Sequence, residues 1–363
     1  MRDDESSVKF TNFQIASKEM ETTKSLLFGK TLSELIELTA DLGLPKFTAR
    51  QLTDWLYKKQ ISSISEMSNL SKSTRELLSE KYDFGTVPPT KVQVSLDGTK
   101  KYLFTTARHQ FIETAMIPDD DRITVCVSSQ VGCKMGCLFC MTAKQGFQGQ
   151  LSAGEIVNQI RSIDEATTVS NIVYMGMGEP FDNLDEVLKS IEILTSDWGY
   201  GMSPRRITVS SIGIVPAMTR FLAESEAHLA ISLHTPFDEQ RKSLMPVQIA
   251  YPIAEVVEEL RKYDFSGQRR VSFEYILFKG LNDSPIHVKE LSRLLNGIKC
   301  RINLIRFHPV PGTPLVSPDE ETINHFKNQL NDKGIFTSIR ASRGQDIYAA
   351  CGLLSTKEQN LKI

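Results

Sequence analysis

The stretch RITVCVSSQVGCKMGCLFC, residues 122–140, joins a β-rich apolar run to a loop that carries cysteines at 133, 137 and 140. Ile123 to Val127 has the β-branched composition of a buried strand. The C-x3-C-x2-C spacing after it places three thiols within eight residues. Thiolates are soft ligands suited to iron or zinc. A closed structural zinc site wants four protein ligands, and no fourth His or Cys follows in the loop. Three thiolates suit a [4Fe–4S] cluster held at three irons, with the fourth open to a small molecule.

From this strand onward the chain alternates β-rich runs with amphipathic helices. The runs are ITVCVSS, NIVYMGMG, RITVSSIGI, LAISLH, RVSFEYILF, INLIRF and FTSIR. Six helical patterns, from AGEIVNQIRSI to ETINHFKNQLNDKG, separate them. Such alternation predicts a parallel sheet with helices outside, either a barrel or an open sheet. Polar residues follow many of the runs: Gly176 to Glu179, Ser210 and Ser211, His234, His308, and Ser342 with Arg343. In β/α barrels chemistry is placed at these strand ends.

Upstream the texture differs. LSELIELTADLGLPKFTARQLTDWLYKK, from Leu32, repeats apolar residues at helical spacing and breaks at Gly43 and Pro45, which predicts two helices. Another helix or two follow, with Ser71 as a cap. A short helix is also expected within the first thirty residues. KVQVSLDGTKKYLFTT alternates on both sides of Asp97-Gly98, as a hairpin does. The expected organisation is a helical accessory domain over 1–90, a β-hairpin extension over 91–118, a catalytic domain over 119–355 and a tail over 356–363.

A chain of 363 residues has room for one large domain and a smaller one. Four of its six cysteines lie between 126 and 140, which favours metal or catalytic use in a reducing compartment over a disulfide framework. The net charge of -2 does not by itself announce a nucleic-acid partner, but Arg205-Arg206 and Arg269-Arg270 leave room for a local basic surface. The start, MRDDESSVKF, is acidic where a secretory signal is basic and then apolar. No run approaches about 18 apolar residues. A cytoplasmic protein without a membrane span is expected.

The cysteine spacing, with Phe139 before its last cysteine, resembles the signature of the radical S-adenosylmethionine (SAM) superfamily. Further stretches resemble one family in it, the bacterial dual-specificity ribosomal and transfer RNA adenine-C2 methyltransferases (RlmN). They are DGTKKYLF, ETAMIPDDDRITVCVSSQVGCKMGCLFC, YMGMGEPFDNLDEV, SPRRITVSSIGIVPAM, LAISLHTPFDEQRKSLMP, INLIRFHPVPG and RGQDIYAACGLL, spread from about residue 32 to 354. The resemblance implies an α/β fold: a radical SAM partial (β/α)6 barrel with a small N-terminal helical domain and a short β-rich extension. It implies a [4Fe–4S] cluster on Cys133, Cys137 and Cys140, and SAM bound by Gly178, Glu179, Ser210, Ser232, Leu233, His234 and His308.

The resemblance also implies the chemistry. Cys351 takes a methyl group from one SAM. A radical made from a second SAM removes a hydrogen from that S-methyl group, and the resulting carbon radical adds to adenine C2. Cys126 takes the substrate proton and releases the product through a transient disulfide with Cys351. This route fits the substrate, because C2 of adenine is electrophilic and cannot attack the methyl of SAM. Glu113 matches a glutamate treated as a proton acceptor, and its carboxylate would also suit the adenine amino edge. Arg340 and Arg343 are candidates for phosphate contacts. Cys300 matches no special role.

Implied partners are 23S ribosomal RNA, transfer RNA and an electron donor such as flavodoxin, with the enzyme a monomer. His308 stands where the family usually has Asn; it still offers one donor and one acceptor. Competing readings are a C8-specific resistance methyltransferase, a radical SAM enzyme of small molecules or peptides, and a noncatalytic RNA-binding protein. The first typically shows QCGC and GMGEA where this chain has QVGC and GMGEP.

Overall fold

The computed structural model describes residues 10–12 and 24–356. Of the first thirty residues, where a short helix is expected, 10–12 and 24–30 are described and are not helical, while 1–9 and 13–23, like nearly all of the 356–363 tail, lie outside the described residues. After Thr31, α1 (Leu32–Asp41) starts with a capping box, in which the Thr31 and Glu34 side chains each accept a backbone N–H from the other's residue. The chain turns at Gly43–Pro45 into α2 (Thr48–Thr53), which continues as a single π-helical turn over Asp54–Lys58. Ser71 caps α3 (Lys72–Lys81) by accepting from the Thr74 N–H. The expected helices form where composition and capping placed them.

Eleven strands make one mixed sheet: β1 (Phe10–Asn12), β2 (Lys91–Val94), β3 (Lys100–Thr105), β4 (Phe111–Asp119), β5 (Arg122–Cys126), β6 (Asn171–Tyr174), β7 (Ile207–Ser211), β8 (His228–Ser232), β9 (Val271–Leu277), β10 (Cys300–Arg306) and β11 (Phe336–Ile339). Their order in space is their order in sequence. β1 to β5 pair antiparallel, and the hairpin at Asp97-Gly98 sets Val94 opposite Lys100. β5 to β11 pair parallel. Parallel neighbours need long crossovers, usually helical. Here these carry α4 (Met141–Gln145) and α5 (Ala153–Arg161), then α6 (Leu184–Thr195), α7 (Val215–Glu224), α8 (Asp238–Leu244) with α9 (Ile253–Leu260), α10 (Pro285–Leu294) and α11 (Glu320–Asp332). Among the described residues six β/α units therefore precede β11, which pairs with β10 alone and leaves the barrel open.

The two-sided burial of a parallel sheet explains the unbroken apolar runs. Every residue of β9, VSFEYIL, is buried, Glu274 included. The helical unit shares the main core: Leu35, Leu52, Leu56 and Leu78 join Ile156 and Ile160 of α5. Arg161 fastens the two parts. Its guanidinium donates to the carbonyls of Lys59 (2.9 Å) and Ile61 (2.5 Å) and lies against the rings of Phe28 and Phe84. A Cβ on Gly29 would stand 2.4 Å from Gly154 Cα, so the backbones meet there only because both residues lack side chains. Tyr57 belongs to this core, with its hydroxyl donating to the Lys30 carbonyl.

Candidate active site

A cavity of about 400 Å3 opens at the C-terminal ends of the parallel strands. It is bordered by Cys126, Cys133, Cys137, Cys140, Gly178, Glu179, Ser210, Ser232, His234, His308 and Cys351. Eleven of the thirteen expected site residues thus meet in one place. Glu113 and Leu233 do not border it.

The cysteine loop runs from the end of β5 into α4. Leu138 N–H donates to the Leu244 carbonyl, and Met141 N–H donates to the Gly352 carbonyl at 2.8 Å. The second bond ties the cysteine loop directly to the segment bearing Cys351. Cys133 and Cys137 are buried and Cys140 is partly exposed to the cavity. Burial pushes the Cys133 thiol up to about 12, and Glu179 and Cys140 add to the shift. Cys137 is raised by burial and by both other cysteines. Three thiolates so placed repel one another, and a cationic iron–sulfur cluster is the partner that would offset this repulsion. Among the described residues no three His, Cys, Asp or Glu side chains converge tightly enough for a single metal ion. Three soft thiolates are a donor set that would suit an iron–sulfur cluster.

Glu179 follows β6 at the end of the GMGE turn. Its carboxylate accepts from the backbone N–H of Phe181 and of Ile212, each at 3.1 Å, and is 3% exposed. Burial pushes its pKa up to about 7, against these hydrogen bonds and one from Ser211. Gly178 has φ +104°, and a Cβ there would fall 2.6 Å from Gln130 Cβ. The bare backbone at Gly178 therefore lets the turn lie against the cysteine loop.

His234 adopts φ +59°, accepts from Ile276 N–H through Nδ1 at 3.0 Å and meets the Phe139 ring edge-on. Burial and Arg241 lower its pKa to about 3, so it is a neutral imidazole whose proton lies on Nε2. His308 is likewise lowered, by burial and by Arg306, and keeps one donor and one acceptor. Leu233 contributes its backbone, because its carbonyl accepts from Arg241 Nε and its N–H donates to Glu274 O.

Cys126 and Cys351 line the same cavity as Arg340, and both cysteines add to the rise of the Arg340 guanidinium above its ordinary value. Cys126 packs with Ala115, Ile347 and Ala349. Burial pushes its thiol up to about 12; Cys351 adds to the rise and Arg340 opposes it. Cys351 is reachable by solvent but enclosed by protein atoms, which raises its thiol, while Arg340 acts in the opposite sense. Arg340 sits 3.7 Å from Glu274, whose other oxygen accepts from Asn303 at 2.8 Å. All six cysteines are free thiols.

Glu113 occupies a different niche. Its buried carboxylate pairs with Lys101 at 3.0 Å and accepts from the backbone N–H of Ser355 at 3.0 Å. It therefore holds the chain just beyond Cys351. Thr142 Oγ1 donates to the Leu354 carbonyl at 2.6 Å beside it. On the other flank, the β2–β3 turn binds the same segment: Ser95 Oγ and Leu96 N–H donate to Asp346, and Gly344 N–H donates to Asp97. Arg343 borders the cavity, 3.6 Å from Asp119. Cys300 lies at the start of β10, away from the cavity. Sequence reasoning passed over Glu274, although an acid inside the apolar run RVSFEYILF was its visible signal.

The radical SAM superfamily model matches residues 127–291, which hold the cysteine loop, the GMGE turn and the strands around them. Fold and site define a radical SAM protein. The model of the ribosomal RNA large subunit methyltransferase N-terminal domain matches residues 26–83, the helical unit. A Phocaeicola vulgatus protein described as a probable dual-specificity RNA methyltransferase RlmN is 58% identical over 340 residues, covering 94% of this chain and 97% of that protein. The dual-specificity RNA methyltransferase RlmN of Syntrophus aciditrophicus is 43% identical over 92% of this chain and 97% of its own length. The crystal structure of a radical SAM methyltransferase from Sphaerobacter thermophilus matches with a TM-score of 0.86 and 42% identity, covering 91% of this chain and 99% of that one. The chain belongs to the RlmN family of radical SAM methyltransferases. Among its described residues no helix is long and apolar enough to cross a membrane.

Proposed function

We propose that this chain methylates carbon 2 of adenine in 23S ribosomal RNA and in transfer RNA, carrying the methyl group on Cys351. The observation that carries this reading is the single cavity shared by Cys126, Cys351, the three-cysteine loop and Glu179. A [4Fe–4S] cluster on Cys133, Cys137 and Cys140 would supply the electron that cleaves SAM. The buried Glu179 carboxylate is suited to the SAM ammonium, which would restore its charged form.

Arg340 favours the Cys351 thiolate, the form that takes a methyl cation from the sulfonium. Methylation leaves a neutral thioether and removes the like charge that raises Cys126. Arg340 is then left to favour a Cys126 thiolate, the base that removes the C2 proton. Glu113 and the β2–β3 turn position the carrier segment. The same reading takes a one-electron donor such as flavodoxin and a monomeric enzyme. Peptide mass spectrometry of anaerobically reconstituted protein after incubation with SAM should find one added methyl on the peptide containing Cys351. A protein that turns over on RNA with Cys351 never methylated would contradict the assignment.

A further inference from the structure

At the opposite end of the parallel strands from the cavity lies a basic cleft of about 220 Å3, lined by Arg205, His228, Gly267, Gln268 and Arg270. Arg205 precedes β7, His228 opens β8 and Arg270 precedes β9. Arg301, the second residue of β10, is paired in register with Ser272 next to them. Four adjacent strands thus bring their basic ends together. Strands of five to seven residues rise roughly 17–23 Å, so this cleft is far from the reacting sulfurs.

The cleft presents donors almost exclusively. Arg270 N–H donates to His228 Nδ1 at 3.1 Å, which leaves the imidazole proton on Nε2. Gln268 spends its oxygen on Arg205 Nε at 3.0 Å, leaving its amide N–H groups. Among the described residues nothing accepts from the Arg270 guanidinium, and Arg301 faces only the Phe336 ring. Arg269 keeps Nε and Nη2 buried without a hydrogen-bond partner, and its nearest carboxylate, the exposed Glu226, is 3.6 Å away. The crowding has an electrostatic signature. Burial and then Arg270, Arg301, Arg205 and Arg269 hold His228 below its ordinary value, and burial with Arg270 lowers Arg301. Like charges gathered with so little counter-charge, one exposed carboxylate beside Arg269, are costly unless an anion joins them. A forked guanidinium set beside N–H donors matches a phosphate.

We infer that this cleft is a phosphate site that grips the sugar–phosphate backbone of the RNA substrate, away from the base being methylated. This rests on the RNA reading above. Such contacts position RNA and carry no base recognition. The Arg205→Ala/Arg270→Ala double variant, two exposed changes outside the active site, separates the possibilities.

With reconstituted full-length enzyme and substrate RNA, the double variant should bind RNA roughly tenfold more weakly, with kcat unchanged. Its plot of log affinity against log salt should be shallower by about 2, one for each lost phosphate contact. The Arg205→Lys/Arg270→Lys variant should keep the wild-type salt slope. Unchanged RNA affinity and slope in the alanine variant would overturn the inference. If RNA binding is unchanged but the alanine variant loses a saturable heat of inorganic phosphate binding seen in the wild type, the site takes free phosphate and the RNA occupant is overturned. Wild-type enzyme that neither binds nor methylates RNA would instead remove the functional reading on which the inference rests.

Discussion

Glu113 shows how a residue's neighbours decide what its chemistry is for. Its carboxylate is 2% exposed, paired with Lys101 and bonded to the Ser355 N–H, and it does not border the cavity. Breaking such a buried pair from one side leaves a buried charge unpaired. Glu113→Ala should destabilise the fold by on the order of 3–5 kcal/mol in denaturant unfolding, and amide protection at 351–356 should fall with it. Full stability with normal protection there would refute the positioning role. At this scale Cys133, Cys137 and Cys140 stood out by their tight spacing and the GMGE turn by its place after a strand, whereas Cys126 and Cys351 drew notice only through the family resemblance, since a lone cysteine reads as a small buried apolar residue. Glu274 was not, since a strand buried on both faces hides an acid among apolar neighbours until its partner Arg340 is seen. The anchoring of the Cys351 segment by Glu113 was equally invisible. It joins residues 242 positions apart.

Among elements, the β2–β3 hairpin is more than an extension of the sheet. Its turn clamps Gly344 and Asp346, upstream of Cys351, while α4 holds Gly352 and Leu354 downstream. Alternation around Asp97-Gly98 predicted the hairpin, but its target 250 residues later could not be read from periodicity. Burial of Asp97 raises its pKa, but the N–H groups of Gly344 and Thr99 outweigh this and hold it at about 2, below its ordinary 3.8. A depressed carboxylate adds stability above the unfolded value and loses it as pH falls through the folded one. The protection factor of the Gly344 amide should therefore drop between pH 3.8 and about 2. Asp97→Ala should show low protection throughout. Protection flat across that window in the wild type would count against the clamp.

Across the whole molecule, one sheet in strict sequence order carries three jobs. Its antiparallel half supports the Cys351 segment, the C-terminal ends of its parallel half hold the cavity, and the opposite ends gather the arginine cleft. The β/α alternation announced the parallel half. It could not tell an open barrel from a closed one, because closure depends on whether β11 finds a second partner. The helical unit was readable as helices, while its docking through Arg161 and the Gly29–Gly154 approach depends on contacts that periodicity does not encode. The proposed methylation of adenine C2 through Cys351 needs all of these parts together. Its most direct test is nucleoside mass spectrometry of ribosomal and transfer RNA treated with anaerobically reconstituted enzyme, SAM and a reductant, beside a Cys351→Ala control. Methylation through Cys351 should give 2-methyladenosine that vanishes in the control; 8-methyladenosine, or SAM cleavage with neither nucleoside formed, would contradict it.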